Sequence, residues 1–253
     1  MRMRKYLVGA TAAAVMSVAV TGVAQAAYTL QGQSLVVNAA APKLDKKKPG
    51  PLKSLFVDVI TDYAGTTGAV DRKANNTKVY FPKDFVFSTK GIRQCDPNTP
   101  GFSTSTTGSA LALCGKARVG GGSAAIVGPV PGITAVVTAF NGTKLGNRSR
   151  ILLHSRTSAG TTTVLVGTLK PSNVGGFGMM LDVPVPALPL GLAISDFKTK
   201  IGRVKAGKKK RGKPQKYYIM ARCSKKKWRF QAITTYDVGA STTAPARDRC
   251  NQK

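Results

Sequence analysis

Short apolar runs recur along this chain, many alternating with polar positions, and Gly, Pro, Asn or Asp punctuates nearly every gap. The runs are SLVVNAA, SLFVDVIT, KVYFP and FVFS, then GSAAIVG, ITAVVTAF, RILLHSR and TTVLVGTL. FGMMLDVPV, LAISDFKTKIGRV, KYYIMARC and WRFQAITTYDV follow. A period of two is the signature of strands, because successive side chains point to opposite faces. Convincing apolar stripes at helical spacing are missing. So many short strands predict an all-β fold: an antiparallel two-sheet sandwich, or a jelly-roll-like arrangement, in a single domain. In WRFQAITTY, Trp228, Phe230, Ala232 and Tyr236 share the expected core face. Arg229, Gln231 and Thr235 share the other, with Ile233 out of pattern. A turn near Gly239 then predicts a return strand towards Cys250.

Composition agrees. All ten acidic residues are Asp, and Asp is a poorer helix former than Glu. Two basic stretches fall between strands. GKKKRGKP (207–214) reads as the loop of a hairpin, with KTKIGRV before it and KYYIMARC after it, and Gly207, Gly212 and Pro214 as turn residues. APKLDKKKPGP, with Lys46, Lys47 and Lys48, reads as a connector in which proline prevents regular pairing.

The N-terminus changes the picture. Arg2, Arg4 and Lys5 precede an apolar run from Leu7 to Val23, and Ala24 and Ala26 fit a cleavage site. Residues 1–26 are therefore expected to be a signal peptide rather than a membrane anchor, leaving 27–253 as a secreted β domain with no transmembrane segment. The formal charge is +29; losing the leader removes three cations and no acid, leaving +26. In an exported chain, Cys95, Cys114, Cys223 and Cys250 are expected as disulfides. Of the three connectivities, Cys95–Cys114 and Cys223–Cys250 are favoured because each closes a short loop. A zinc site is the weaker reading, with no CxxC pair and His154 as the sole histidine. No cofactor or metal is expected.

Catalytic constellations are weak, and no catalytic residue is assigned. His154 alternates with Ile151, Leu153 and Ser155, on the face expected to meet solvent, and no GxSxG, HExxH or SxxK motif accompanies it. Asp58 and Asp62 share a strand face and are the one carboxylate pair worth naming for a cell-wall glycan hydrolase, although an exposed polar face explains them equally. RVGGGSA lacks the Lys-Ser/Thr of a phosphate loop, so Gly120 to Gly122 are expected in a turn or bulge. Trp228, amid cations, is expected in the core rather than as a stacking platform.

Charge is the strongest functional signal. From Lys198 to Arg229 there are fifteen Lys or Arg and no acid. Such a field attracts polyanions and weakens with salt. Export excludes intracellular nucleic acid, leaving an anionic cell-envelope polymer or an anionic lipid surface as the expected partner. The first candidates are Lys208, Lys209, Lys210, Arg211 and Lys213, then Lys225, Lys226 and Lys227, with Lys46 to Lys48. The competing readings are the glycan hydrolase, a structural or adhesive protein that binds another protein, and charge that serves solubility alone.

The order VYFPKDFVFSTKGIRQC, LCGKARVGGGSA, VTAFNG and ILLH, with LDVPVPAL, ISDFKTKIG and the ending ARCSKKKWRFQAITTYDVGASTT, resembles a group of exported proteins of high-GC Gram-positive bacteria. The resemblance implies a single secreted β-sandwich with the two local disulfides. It carries over no activity and no catalytic residue.

Overall fold

The computed structural model describes residues 33–39, 50–63, 72–129, 131–188, 192–202, 204–208, 211, 215–237 and 239–250. Residues 1–26, expected to be a signal peptide, and Lys46 to Lys48 lie outside them. The strands are β1 (Ser34–Asn38), β2 (Lys53–Ser54), β3 (Phe56–Asp62), β4 (Ala74–Pro82), β5 (Phe85–Phe87), β6 (Arg118–Val127) and β7 (Ile133–Leu145). They continue as β8 (Arg148–Thr157), β9 (Thr162–Pro171), β10 (Phe177–Pro184), β11 (Ala193–Gly202), β12 (Ile219–Ala221), β13 (Lys227–Tyr236) and β14 (Ser241–Arg249), with one short helix, α1 (Thr107–Cys114).

The expected antiparallel all-β fold is present, and its two sheets are very unequal. Eleven strands form one sheet in the order β1-β3-β11-β6-β7-β8-β9-β10-β4-β13-β14, while β2, β12 and β5 form the other. The large sheet curls until its edges nearly meet, β1 lying against β14. Val57 of β3 and Val79 of β4, seven strands apart in that order, line the same interior space as Leu153 and Leu165.

A chain of side-chain hydrogen bonds ties the seam. Tyr63 Oη and Thr77 Oγ1 are 3.1 Å apart, and Thr77 Oγ1 and Thr234 Oγ1 are 3.0 Å apart. Gln33 Nε2 donates to Thr234 Oγ1 at 2.7 Å, and Gln33 Oε1 accepts from Thr242 Oγ1 at 2.9 Å. Tyr236 Oη is 3.0 Å from Thr242 Oγ1. The network joins the exit of β3 to β4, β13, β14 and the entry to β1. Burial pushes the Tyr63 phenol up to about 12, so it stays a neutral hydrogen-bonding group. Nearer the other end of β1, Ala39 N–H donates to the Asp248 carboxylate at 2.6 Å.

The small sheet packs at the opposite end, where β3 begins and β4 and β11 end. Trp228, Phe230, Ala232 and Tyr236 face the interior, as the alternation predicts. Trp228 and Phe230 meet Phe85 of β5 edge to face at 5.0 and 5.3 Å. Among the described residues, no helix is long and apolar enough to cross a membrane.

Both disulfides are those expected, with Cα–Cα distances of 5.4 Å for Cys95–Cys114 and 5.7 Å for Cys223–Cys250. The first folds residues 88–117 into a flap over the outer face of β7, β8 and β9. Thr106 caps α1 by accepting from Ser109 N–H at 3.2 Å. Ala110 and Cys114, one turn apart, pack with Phe102 on Phe140 and Leu152, making a second small core. Fully buried Asn141 anchors the start of the flap, its Nδ2 donating to the carbonyls of Thr89, Ile92 and Arg93 at 3.1 to 3.4 Å.

Of the turn or bulge expected at Gly120 to Gly122, the turn is absent and a bulge-like irregularity falls just before Gly120. The three glycines lie inside β6, paired to β11 on one side and β7 on the other, with a register shift in the β7 ladder between Arg118 and Gly120. Cβ atoms at 120 and 122 would run into the carbonyls of Lys200 and Lys198. Glycine here permits the close strand approach of a curled sheet.

Candidate functional site

The expected hairpin around GKKKRGKP is present at its stem. Lys205 and Tyr217 form an antiparallel bridge, Ala206 N–H donates to Lys216 O at 2.9 Å, and Gly207 takes a left-handed φ of 73°. Lys208 and Arg211 are exposed. Lys209, Lys210 and Lys213 lie outside the described residues.

The stem of this hairpin and the triple lysine stand apart in the small sheet. β12 is the middle strand of the small sheet and runs from one to the other. At its start, Ser88 N–H donates to Tyr218 O at 2.8 Å and the backbone at Gly91 lies against Gly207, which places the hairpin stem beside the flap. At its finish, Arg222 N–H donates to Asp84 O at 3.2 Å and Ser224 N–H to the Asp84 carboxylate at 2.9 Å. Lys225, Lys226 and Lys227 follow there. The described stem of the hairpin, with Gly207 and Lys208, and the triple lysine thus lie at opposite ends of the small sheet.

The triple lysine instead borders a groove of about 590 Å³. One wall is the β4–β5 turn, with Pro82, Lys83 and Asp84. The other is Ser224 to Arg229 with Arg247, and Gly176 closes the rim. Buried Trp228 forms part of the floor as a core residue, its indole N–H donating to Arg222 O at 3.1 Å. The Cys223–Cys250 bridge, with Cys250 N–H donating to Lys226 O at 3.2 Å, fixes the lysine loop to the end of β14.

The outer face of the terminal hairpin extends this surface. Lys227 stands opposite Arg249, and Arg229 opposite Arg247. The four cations make a rectangle about 5 Å across the strands and about 7 Å along them. Like charges directly opposite one another destabilise a sheet. Among the described residues, none of these four, nor Lys83, Lys225 or Lys226, has a carboxylate within salt-bridge distance. Asp84, the one acid lining the groove, holds Ser224 N–H and lies 3.8 Å from Arg222 Nε. Asp248 turns away to Ala39.

Lys83, Arg229, Arg247 and Arg249 are missed when only consecutive cations are counted. The usable signal is K-x-R at 227–229 and R-x-R at 247–249, in strands that the alternation and the disulfide already pair.

Asp58 and Asp62 lie on the outside of β3, opposite the face that lines the interior. Four residues of strand separate them by about 13 Å, against roughly 5–10 Å for glycosidase carboxylates. Lys200 pairs with Asp58 at 3.6 Å, and Asp62 sits across from Asp196.

His154 is not on a solvent face: it is fully buried, because the flap covers that side of β8. Its Nε2 lies 3.0 Å from Ser105 Oγ, which itself donates to Phe102 O at 2.8 Å. The serine proton is thus engaged and Nε2 donates, the reverse of what activating the serine requires. Burial, with Arg156 adding a smaller effect, holds the imidazole below its ordinary value. The unfolded chain therefore binds a proton that the folded chain refuses. Stability is full above about pH 6.5 and falls below it by up to about 1.4 kcal/mol per pH unit, until the folded imidazole itself titrates. Chemical denaturation at pH 7 and pH 5.5 checks this, with His154→Gln expected to flatten the difference.

Compared with protein-family models, with curated proteins and with solved structures, the chain gives no match.

Proposed function

We propose that this chain is an exported, non-enzymatic protein of the bacterial envelope that holds an anionic polymer in the groove beside its second disulfide. The observation that carries this reading is the set of cross-strand pairs Lys227–Arg249 and Arg229–Arg247, continuous with a groove bordered by Lys83 and Lys225 to Lys227. Such pairs oppose folding, so a partner that neutralises them is the economical explanation. A concave, disulfide-braced surface suits a chain-like anion better than a flat bilayer. The arginine forks favour phosphate, which they bind in bidentate fashion. Phosphate-bearing wall polymers of the teichoic-acid kind have this chemistry.

Trp228 is the sole tryptophan and forms part of the groove floor, so its fluorescence should report occupancy. Titration with long-chain inorganic polyphosphate should shift its emission. With about four phosphates engaged, affinity should fall roughly fifty-fold between 50 and 200 mM salt. Anionic phospholipid vesicles serve as the second arm. Tighter binding to vesicles than to polyphosphate, or no salt dependence, would refute the polymer reading.

A further inference from the structure

The interior of the large sheet holds a cavity of about 70 Å³, with a second of about 40 Å³ beside it. Leu165, Ile194 and Phe197 line both, so these side chains are the partition between them. Together the cavities run lengthwise inside the curled sheet. At the floor lie Ile219, the first residue of β12, and Tyr218 just before it. At the far end, Thr157 and Thr161, flanking the β8–β9 turn, form the mouth. No charged side chain is among the lining residues of either cavity.

One polar atom there is unaccounted for. Tyr218 is fully buried, and its hydroxyl has no hydrogen-bond partner among the described residues. Other buried hydroxyls along the wall differ: Tyr63 and Thr77 are engaged in the seam network. A buried hydroxyl without a partner is costly and uncommon in folded chains. Next to an apolar cavity with room for several water-sized groups, it has the character of a reserved hydrogen-bonding position.

We propose that this channel binds a slim, uncharged aliphatic molecule with one oxygen function, an alcohol or a ketone, which pairs with the Tyr218 hydroxyl. An ionised carboxylate is disfavoured because no lining group would compensate its charge. The seat is separate from the basic groove, so the proposal stands whether or not the groove binds a polymer.

The test uses the chain with both disulfides formed and three probes: 1-octanol, octane and octanoate at pH 7. Binding is followed by calorimetry and by the methyl NMR signals of interior leucines and valines. Octanol is expected to bind with shifts confined to the channel, and octanoate at least ten-fold more weakly. Tyr218→Phe should weaken octanol about five- to ten-fold while leaving octane unchanged. Leu165→Phe, which fills the partition, should weaken all binding; Tyr218→Phe remains decisive if that variant does not fold. No interior shift with octanol, octanoate binding as tight as octanol, or indifference to Tyr218→Phe would each overturn the proposal.

Discussion

Gly122→Ala is expected to remove most of the native state, although it adds a single methyl group. That methyl would sit against the carbonyl and Cα of the β11 backbone at Lys198 and Thr199. Backbone in the middle of a ladder cannot step aside without giving up its own hydrogen bonds, and β11 is held by β3 on its other side. The loss should exceed about 4 kcal/mol, at the far end of single-substitution effects. A domain stability of about 5–15 kcal/mol leaves little margin for it. For a chain of this length, that is a fall in Tm of roughly 8–16 °C or more. Gly115→Ala is the matched control. Its added methyl meets nothing within 4 Å, and its backbone is helical. It should be neutral or slightly stabilising. Thermal melts followed by near-ultraviolet circular dichroism compare the two. A Gly122→Ala chain that melts within a few degrees of the parent would mean the strands are not packed this closely.

The strands were legible because half-buried antiparallel strands write their two faces into the sequence. The β13 alternation located Trp228, Phe230 and Tyr236 in the core, and the short spacings of the cysteines located both bridges. The curl of the sheet was not legible. Alternation specifies a face but not its curvature, and the glycines that allow the curl look like any turn. Nor was the flap: α1 buries only Ala110 and Cys114 of its residues, too small a stripe to register as a helical period. Missing the flap also misplaced His154, since a residue opposite the core face is exposed only where nothing covers that face. For the groove, the triple lysine was visible as a run. The arginines that complete it are spread over two strands and become neighbours only once β13 and β14 pair.

The second large effect concerns those neighbours. Changing Lys227, Arg229, Arg247 and Arg249 together to Gln should cut polyphosphate affinity by roughly three orders of magnitude, taking about 1 kcal/mol per engaged cation. The same variant should be more stable than the parent, because each cross-strand repulsion costs about 0.2–1 kcal/mol. Weaker binding joined to higher stability is the mark of residues kept for a ligand rather than for the fold. If the quartet serves solubility alone, stability rises in the same way but no binding exists to be lost.

The most direct measurement sets this quartet variant beside a tip variant with Lys208, Lys209, Lys210 and Arg211 changed to Ser, and titrates both and the parent with polyphosphate at physiological salt. Both variants lose four positive charges, so long-range attraction falls about equally and only the place of contact differs. The groove account predicts that the tip variant stays within several-fold of the parent while the quartet variant loses nearly all binding. Binding that survives in the quartet variant and disappears in the tip variant would contradict it and return the site to the hairpin loop.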